Sequence, residues 1–189
     1  MINFFVSLIT GIFLGDTYLK ERAERQLKNG ETQEICGGRL LLRRHHNRGA
    51  MLNLGEEHGK VVEILSLGLT LAAAFLFLLS LGTYGSNLLR TGLSLLLGGA
   101  FSNTYDRLRQ QYVTDYVSFG VKWKPLGRLV FNVSDFCIIV GSLFTVLGIK
   151  EQERKLHKLR KQRQRRKHQQ RTGTTRSSSA VSQVNKKFV

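Results

Sequence analysis

Residues 61–81 read VVEILSLGLTLAAAFLFLLSL, and they contain no charged side chain after Glu63. A helix that crosses a bilayer needs about 20 predominantly apolar residues, so this stretch predicts a membrane span. Three further apolar runs cover residues 2–20, 88–105 and 129–149. The sequence therefore predicts an all-α membrane protein with four transmembrane helices.

Charge is segregated from these apolar runs. The chain has 29 Lys and Arg residues and a net charge of +16, and 14 of these cations follow Ile149. Such segregation is typical of membrane proteins and argues against a soluble domain. It predicts a membrane domain over residues 1–149 and a basic, largely disordered tail over residues 150–189.

The cations of the tail also predict an orientation. Basic residues beside a span favour the cytoplasmic side, so the tail is expected there, and four spans place the amino terminus there too. Segments 16–60 and 103–128 are then expected outside, as a small extracytoplasmic β/loop element with a strand near residues 39–46. Tyr116 and Trp123 are expected to anchor the membrane interface. The nine Lys and Arg of segment 16–60 oppose this orientation, and the larger charge of the tail outweighs them.

Two acidic residues stand beside the predicted spans. Asp135 lies in FNVSD at residues 131–135, one turn into the fourth run, and Asp115 lies in YVTDY at residues 112–116. An ionisable group at the centre of a span costs about 2.5–3.5 kcal/mol on insertion scales, so a retained one indicates a function.

Two carboxylates held close together can share one proton. The ionised group then takes a proton from water while the protonated group donates to an amide carbonyl, which hydrolyses the amide without a metal or a nucleophilic side chain. A single Asp near a helix end is also commonly a cap or a member of an ion pair, and spacing alone does not decide between these roles.

Four short motifs stand at the ends of the predicted spans. They are GDTYLK at residues 15–20, NRGA at 47–50, GGAFSNTYDR at 98–107 with VTDY at 113–116, and FNVSD at 131–135. Together they resemble the motifs of signal peptidase II, the lipoprotein signal peptidase family of bacterial membranes. The resemblance covers residues 2 to about 149, and the third and fourth motifs carry most of its specificity.

The resemblance implies an aspartic endopeptidase that removes the signal peptide from diacylglyceryl-modified bacterial prolipoproteins, on the amino side of the lipidated cysteine. It implies no cofactor, and it places the active site near the extracytoplasmic face of the cytoplasmic membrane. The catalytic pair falls on Asp115 and Asp135. Substrate-binding or orienting residues fall on Asn47, Asn103, Arg107 and Asn132, and supporting residues on Asp16, Lys20, Asp106 and Gly49.

Four positions depart from the family motifs. Ser102 and Gln111 replace glycines, Tyr116 replaces a phenylalanine and Ser134 replaces an alanine. A glycine at position 111 would supply a backbone turn, so Gln111 puts the local loop shape in question. The two aspartates are untouched, and the divergence leaves room for an altered substrate preference.

Two alternatives stay open on the sequence. A non-catalytic descendant would keep the fold as a membrane binding protein, and a small transporter would use Asp135 as a proton relay. The presence of both aspartates argues against the first alternative. Four spans with a pair of aspartates near one face argue against the second.

The other polar features favour simple interpretations. His45 and His46 are adjacent and would point to opposite faces of a strand, so no metal site is predicted. Cys36 and Cys137 are expected to be unpaired thiols. The tail is expected to contact anionic lipid. It has no interleaved aromatic side chains for base stacking, so nucleic acid is not an expected partner.

Overall fold

The computed structural model describes residues 2–28, 30–49, 56–82, 86–121, 123, 126–127 and 129–185. Side chains are described as far as residue 164, except that of Glu56. The chain divides into two units, Met1–Gly148 and Ile149–Val189. The elements are α1 (Ile2–Gln26), β1 (Gln33–Ile35), β2 (Leu40–Asn47), a short 3-10 helix (Glu56–His58), α2 (Gly59–Gly82), α3 (Asn87–Gln110), β3 (Val113–Phe119) and α4 (Val133–Asn185). Ala50 of the NRGA motif lies outside the described residues.

Within the described residues, three helices are long and apolar enough to cross a membrane, namely α1, α2 and the first part of α4. The prediction of spans is confirmed for these three helices. Helix α3 is equally long but more polar, and many of its polar side chains, such as Ser94, Thr104 and Asp106, are buried. It packs against α1 and α2, so these side chains face protein instead of lipid. A membrane crossing by α3 remains a prediction.

Glycines bring α3 close to two neighbouring helices. A Cβ atom at Gly98 would lie 3.0 Å from the Ile9 carbonyl oxygen of α1, and one at Gly99 would lie 2.5 Å from the Ser134 carbonyl oxygen of α4. Gly141 makes the reciprocal approach from α4 to the backbone of α3. Small residues permit such close packing of helices in a membrane. The Gly99 contact therefore fixes where the first turn of α4 lies against α3.

A three-stranded antiparallel sheet, in the order β1-β2-β3, forms the polar part of the first unit. The segment before α4 joins its edge, because the Phe131 amide donates to the Val117 carbonyl oxygen over 2.7 Å and the Val117 amide donates back over 2.8 Å. These bonds place the start of α4 beside β3, and thus bring the two elements that carry Asp115 and Asp135 together.

The sheet packs on the end of α1 through a small apolar cluster. Ala23, Leu27 and Tyr116 are buried there, with Leu42 and Val117 packed against them. The prediction that Tyr116 anchors the membrane interface is wrong, because its side chain is buried between the sheet and α1. An aromatic side chain at a membrane interface keeps its polar end in contact with water or lipid headgroups, whereas the whole Tyr116 side chain is buried.

The second unit continues α4 as a helix to Asn185, whereas the sequence predicts a largely disordered tail. Glu, Gln, Lys, Arg and Leu dominate residues 151–164, and these residues favour helix. The Lys155 ammonium also lies 2.6 Å from the Glu151 carboxylate one turn away. Such pairs stabilise a helix by about 0.2–0.5 kcal/mol.

Gln111 ends α3 in the left-handed conformation, with φ of 65° and ψ of 14°, and its amide donates to the Arg107 carbonyl oxygen. The turn expected of a glycine is therefore made by a glutamine. A residue with a Cβ pays about 1 kcal/mol for this conformation. The loop to β3 keeps its shape because the cap hydrogen bond is retained.

We expect Gln111→Gly to raise the free energy of unfolding by about 1 kcal/mol, because glycine adopts the left-handed conformation without steric cost. Thermal unfolding of the purified protein in detergent measures the change. The matched control is Gln111→Ala, which keeps the Cβ and should leave stability within about 0.5 kcal/mol of the parent. An equal gain in both variants would assign the effect to the glutamine side chain.

Candidate active site

Asp115 and Asp135 line one cavity of about 500 Å³. Asp115 is in the middle of β3 and is 1% exposed, and Asp135 is in the first turn of α4. Strand β3 reaches this position because the ladder pairs it with the end of β2, and α4 reaches it through the Phe131 bridge. The fold thus brings together two carboxylates from different elements.

Asn132 connects the two carboxylates. Its side-chain amide donates to Asp115 Oδ1 over 2.7 Å, and its backbone amide donates to Asp135 Oδ2 over 3.1 Å. The Asp135 amide donates back to Asn132 Oδ1 over 2.9 Å. Asn132 thereby caps α4 in a reciprocal arrangement of the capping-box kind, with Asp at the position where Glu or Gln is usual. The cap that starts the helix also fixes the pair of aspartates.

Each aspartate has a second amide donor from another element. Asn47, at the end of β2, donates to Asp115 Oδ2 over 3.1 Å. Asn103, on α3, donates to Asp135 Oδ1 over 2.9 Å. Every carboxylate oxygen of the pair therefore accepts one N–H group. These bonds hold both side chains in fixed orientations toward the cavity.

The buried ammonium group of Lys20 donates to the Asn103 side chain and orients it. Lys20 Nζ lies 2.8 Å from the Asp16 carboxylate and 2.9 Å from the Asp106 carboxylate. It also donates to Asn103 Oδ1 over 2.8 Å and to Ser102 Oγ over 2.9 Å. Because Oδ1 of Asn103 accepts from Lys20, its side-chain N–H groups must point toward Asp135. Lys20 thus sets the orientation of a donor to the aspartate pair.

Asp16 is enclosed by donors from three other elements. Its carboxylate accepts from the Tyr116 hydroxyl at 3.0 Å and from the Val133 amide at 3.2 Å. It also accepts from Ser102 Oγ at 2.7 Å and Ser134 Oγ at 2.6 Å, besides Lys20. A buried carboxylate is tolerated when its lone pairs are filled in this way. Asp16 therefore joins α1 to α3, β3 and the start of α4.

Arg107 holds the turn after β2 near the cavity. Its Nη2 donates to the Gly49 carbonyl oxygen over 3.0 Å, and its Nη1 donates to the Asn103 carbonyl oxygen over 3.2 Å. Among the described residues, Arg107 Nε is buried without a hydrogen-bond partner. Arg107 also lines the cavity that contains the aspartates.

The surroundings of Asp115 favour its protonated form. Burial raises the pKa of Asp115 to about 7, and the negative charge of Asp135 raises it as well. The N–H groups of Asn47 and Asn132 and the charge of Lys20 act in the opposite direction. Asp115 therefore carries a proton in a large fraction of molecules near neutral pH.

The rest of the cavity is mostly apolar and is formed mainly by α2, α3 and α4. Its apolar lining includes Leu69, Ala73, Leu76, Leu96, Ile138 and Ile139. The aspartates, Asn47, Asn103 and Arg107 make the polar part of the same cavity. This combination of a broad apolar wall and a few convergent polar groups is typical of a ligand site.

A model of the family described as signal peptidase (SPase) II matches residues 8–150. The chain belongs to the signal peptidase II family. It is an aspartic endopeptidase of the signal peptidase II type and a membrane protein. The lipoprotein signal peptidase of Caldicellulosiruptor bescii is 33% identical over 150 residues, which cover 79% of this chain and 93% of that protein.

Other known proteins agree with this membership. The lipoprotein signal peptidase of Enterococcus faecalis is 30% identical over 151 residues, covering 78% of this chain and 90% of that protein. A solved bacterial membrane enzyme, determined by the in meso method at 2.3 Å resolution, shares the fold with a TM-score of 0.71 at 19% sequence identity. The superposed region covers 80% of this chain and 90% of the solved chain.

Three of the four departures from the signal peptidase II motifs converge in space. Ser102, Tyr116 and Ser134 replace residues without a hydroxyl group, and all three hydroxyls donate to Asp16. The sequence identifies the departures but not their meeting point, because they lie on three different elements. The hydroxyls give Asp16 a set of donors that the motif residues at these positions would not supply.

His46 is partly buried in the strand that the sequence predicts near residues 39–46. It lies in β2, and its Nε2 atom is 2.7 Å from Glu24 Oε1. Among the described residues, no group of three or more His, Cys, Asp or Glu side chains is arranged to hold a metal ion. Cys36 and Cys137 are both free thiols, as predicted.

Proposed function

We propose that this signal peptidase II cleaves diacylglyceryl-modified bacterial prolipoproteins on the amino side of the lipidated cysteine, with Asp115 and Asp135 as the catalytic pair. The observation that carries the proposal is the bridge through Asn132, which bonds to both carboxylates at the wall of one cavity. Asn47, Asn103, Arg107 and Asn132 are proposed to orient the pair and the substrate. Asp16, Lys20, Asp106 and Gly49 are proposed to support them.

The first step of the reaction uses the two protonation states. Asp135 is the proposed base, since it lies in the first turn of α4, where the helix dipole favours a negative charge, and its charge raises the pKa of Asp115. It takes a proton from water as the water oxygen bonds to the scissile carbonyl carbon. Protonated Asp115 gives its proton to the carbonyl oxygen, which leaves a neutral tetrahedral diol.

The second step reverses the proton transfers. Asp135 gives its new proton to the amide nitrogen, and the carbon–nitrogen bond breaks. Asp115 takes back a proton from the diol as the carboxyl product forms, so both aspartates return to their starting states. The step needs no covalent intermediate, metal or cofactor.

The cavity matches a substrate that is partly peptide and partly lipid. The proposed peptide backbone lies at the polar end, where the Arg107 guanidinium lines the cavity and donates to a substrate carbonyl oxygen. The apolar wall of α2, α3 and α4 faces the signal-peptide helix and the acyl chains. Such a substrate reaches the site laterally from the bilayer, between the helices.

The proposed orientation places the sheet and the aspartates at the extracytoplasmic face. Residues 150–189 then lie in the cytoplasm, where their cations attract anionic lipid by about 1 kcal/mol each near the surface. The amino terminus lies on the same side if all four helices cross. The charge of the tail supports this orientation.

We expect the purified protein to cleave a lipidated prolipoprotein, and expect Asp115→Asn and Asp135→Asn each to lower kcat by at least about 100-fold. An amide cannot exchange the protons that the reaction requires, and general acid–base catalysis contributes about 100- to 10,000-fold. Mass spectrometry of the released products gives the rate and the bond cleaved.

The matched control for both variants is Glu34→Gln, which changes an exposed carboxylate of β1 and should cleave at the parental rate. No cleavage by folded parental protein would favour a non-catalytic descendant. Cleavage at the parental rate by either Asp variant would mean that the chemistry belongs to other residues.

The pH dependence follows from the raised pKa of Asp115. The folded protein holds this proton up to about pH 7, and the reaction needs it, so the rate should be highest below pH 7. Above pH 7 the rate should fall about tenfold per pH unit. Initial rates between pH 5 and 9 in one detergent measure this limb, and a flat profile to pH 9 would contradict the role of Asp115.

The orientation is tested with the two native thiols. Cys36 is exposed in the turn after β1, and Cys137 is in the membrane part of α4. A membrane-impermeant maleimide added to intact cells should label Cys36, with the variant Cys36→Ser as the blank. Labelling of Cys36 only after the cells are permeabilised would mean that the proposed orientation is reversed.

A further inference from the structure

Glu24 stands outside the aspartate pair and outside the family motifs, yet it contacts the neighbours of two site residues. Its Oε1 atom accepts from the Thr114 hydroxyl over 2.9 Å, and Thr114 immediately precedes Asp115. The same oxygen lies 2.7 Å from His46 Nε2, and His46 immediately precedes Asn47. A carboxylate has no proton to give, so His46 donates in this contact.

The register of the sheet explains why one side chain reaches both strands. His46 lies opposite Thr114 in the ladder between β2 and β3. Neighbouring residues of a strand point to opposite faces, so these two point toward α1 while Asp115 points to the cavity. Glu24 Oε2 adds a contact of 3.2 Å with Arg44, and Arg44 also donates to the Glu24 carbonyl oxygen over 3.0 Å. Glu24 therefore fastens both strands to the end of α1.

Glu24 also continues a stripe along α1. Asp16, Lys20 and Glu24 are spaced four residues apart, so they lie on one face of the helix. Asp16 contacts Tyr116 and Lys20 contacts Asn103, and both contacts lead to the aspartate pair. Glu24 extends the same pattern to the other side of Asp115.

We propose that Glu24 is a positioning residue for catalysis, which acts on Asp115 through Thr114 and on Asn47 through His46. Its two contacts fix the strand ends across which Asn47 donates to Asp115. Glu24 does not line the cavity that holds the aspartates, among the residues described there, so its effect on substrate binding is small. The proposal rests on the proposed function.

We expect Glu24→Ala to lower kcat about tenfold while KM changes less than twofold, because the cavity lining is retained and the aspartate geometry is loosened. Glu24→Gln should recover most of the loss, since its carbonyl oxygen still accepts from Thr114 and His46. Glu21→Ala is the matched control on the same turn of α1, where Glu21 is half-exposed and contacts Arg25. It should leave kcat unchanged.

A second measurement separates positioning from loss of folded protein. Without the fastening, Asn47 donates less well to Asp115, so the titration midpoint of the Asp115 carboxyl should rise by about half a pH unit. Carbon-13 NMR of aspartate-labelled protein reports this midpoint without any substrate, and Asp115→Asn identifies the signal. Asp135, Lys20 and Arg107 are the charged groups that face Asp115, with His45 opposite it in the ladder, and all are retained in Glu24→Ala.

The variant Thr114→Val covers the case in which Glu24→Ala does not fold. It keeps the shape of the side chain, removes one contact of Glu24, and should lower kcat about threefold with the same sign of change in the Asp115 midpoint. Unchanged kcat and an unchanged midpoint in folded Glu24→Ala or Thr114→Val would overturn the proposal. If the parent does not cleave, the proposed function fails, and the Asp115 midpoint still decides whether Glu24 positions this carboxyl.

Discussion

The buried ammonium of Lys20 is the contact on which the site depends. It lies between the carboxylates of Asp16 and Asp106, and all three side chains are almost fully enclosed. A buried charge without partners costs several kcal/mol, and removal of one member of a buried pair costs about 3–5 kcal/mol. The ends of α1 and α3 are therefore held in one relative position. That position in turn orients Asn103 toward Asp135.

The same residues serve the fold and the chemistry at the start of α4. Asn132 caps the helix, and its side-chain amide and backbone amide bond to different aspartates. A cap of this kind stabilises a helix by about 1 kcal/mol, and the same hydrogen bonds hold the side chains of Asp115 and Asp135 in place. The paired backbone hydrogen bonds between Phe131 and Val117 hold the residue before this cap beside β3.

Helix α3 shows how the bundle accommodates polar chemistry beside lipid. Its glycines admit α1 and α4 to close contact, so Asn103 and Asp106 face protein and not the bilayer. The exposed residues of α2 and α4 are large and apolar, as in Leu71, Phe75 and Leu143. Polar side chains inside a membrane protein are tolerated when they face protein, because hydrogen bonds to protein groups replace those that the side chains would make with water.

The sequence by itself determined the helical membrane class and three of the spans, because long apolar runs such as residues 61–81 have few other stable conformations. It also predicted Asp115, Asp135 and the motif residues around them as candidate site residues, since their order along the chain resembles that of the signal peptidase II motifs. Local spacing is enough for such features. They depend on residues that are close in the sequence.

The tertiary structure alone decided which polar groups meet. The decisive contacts join residues that lie about 80 to 120 positions apart in the sequence. They are the contact of Glu24 with Thr114 and the contacts of Asp16 with Ser102, Tyr116 and Ser134. No periodicity encodes such contacts, because they depend on strand register and on how closely the helices approach. The buried position of Tyr116 was decided in the same way. In each case packing of distant elements outweighed the local preference of the residue.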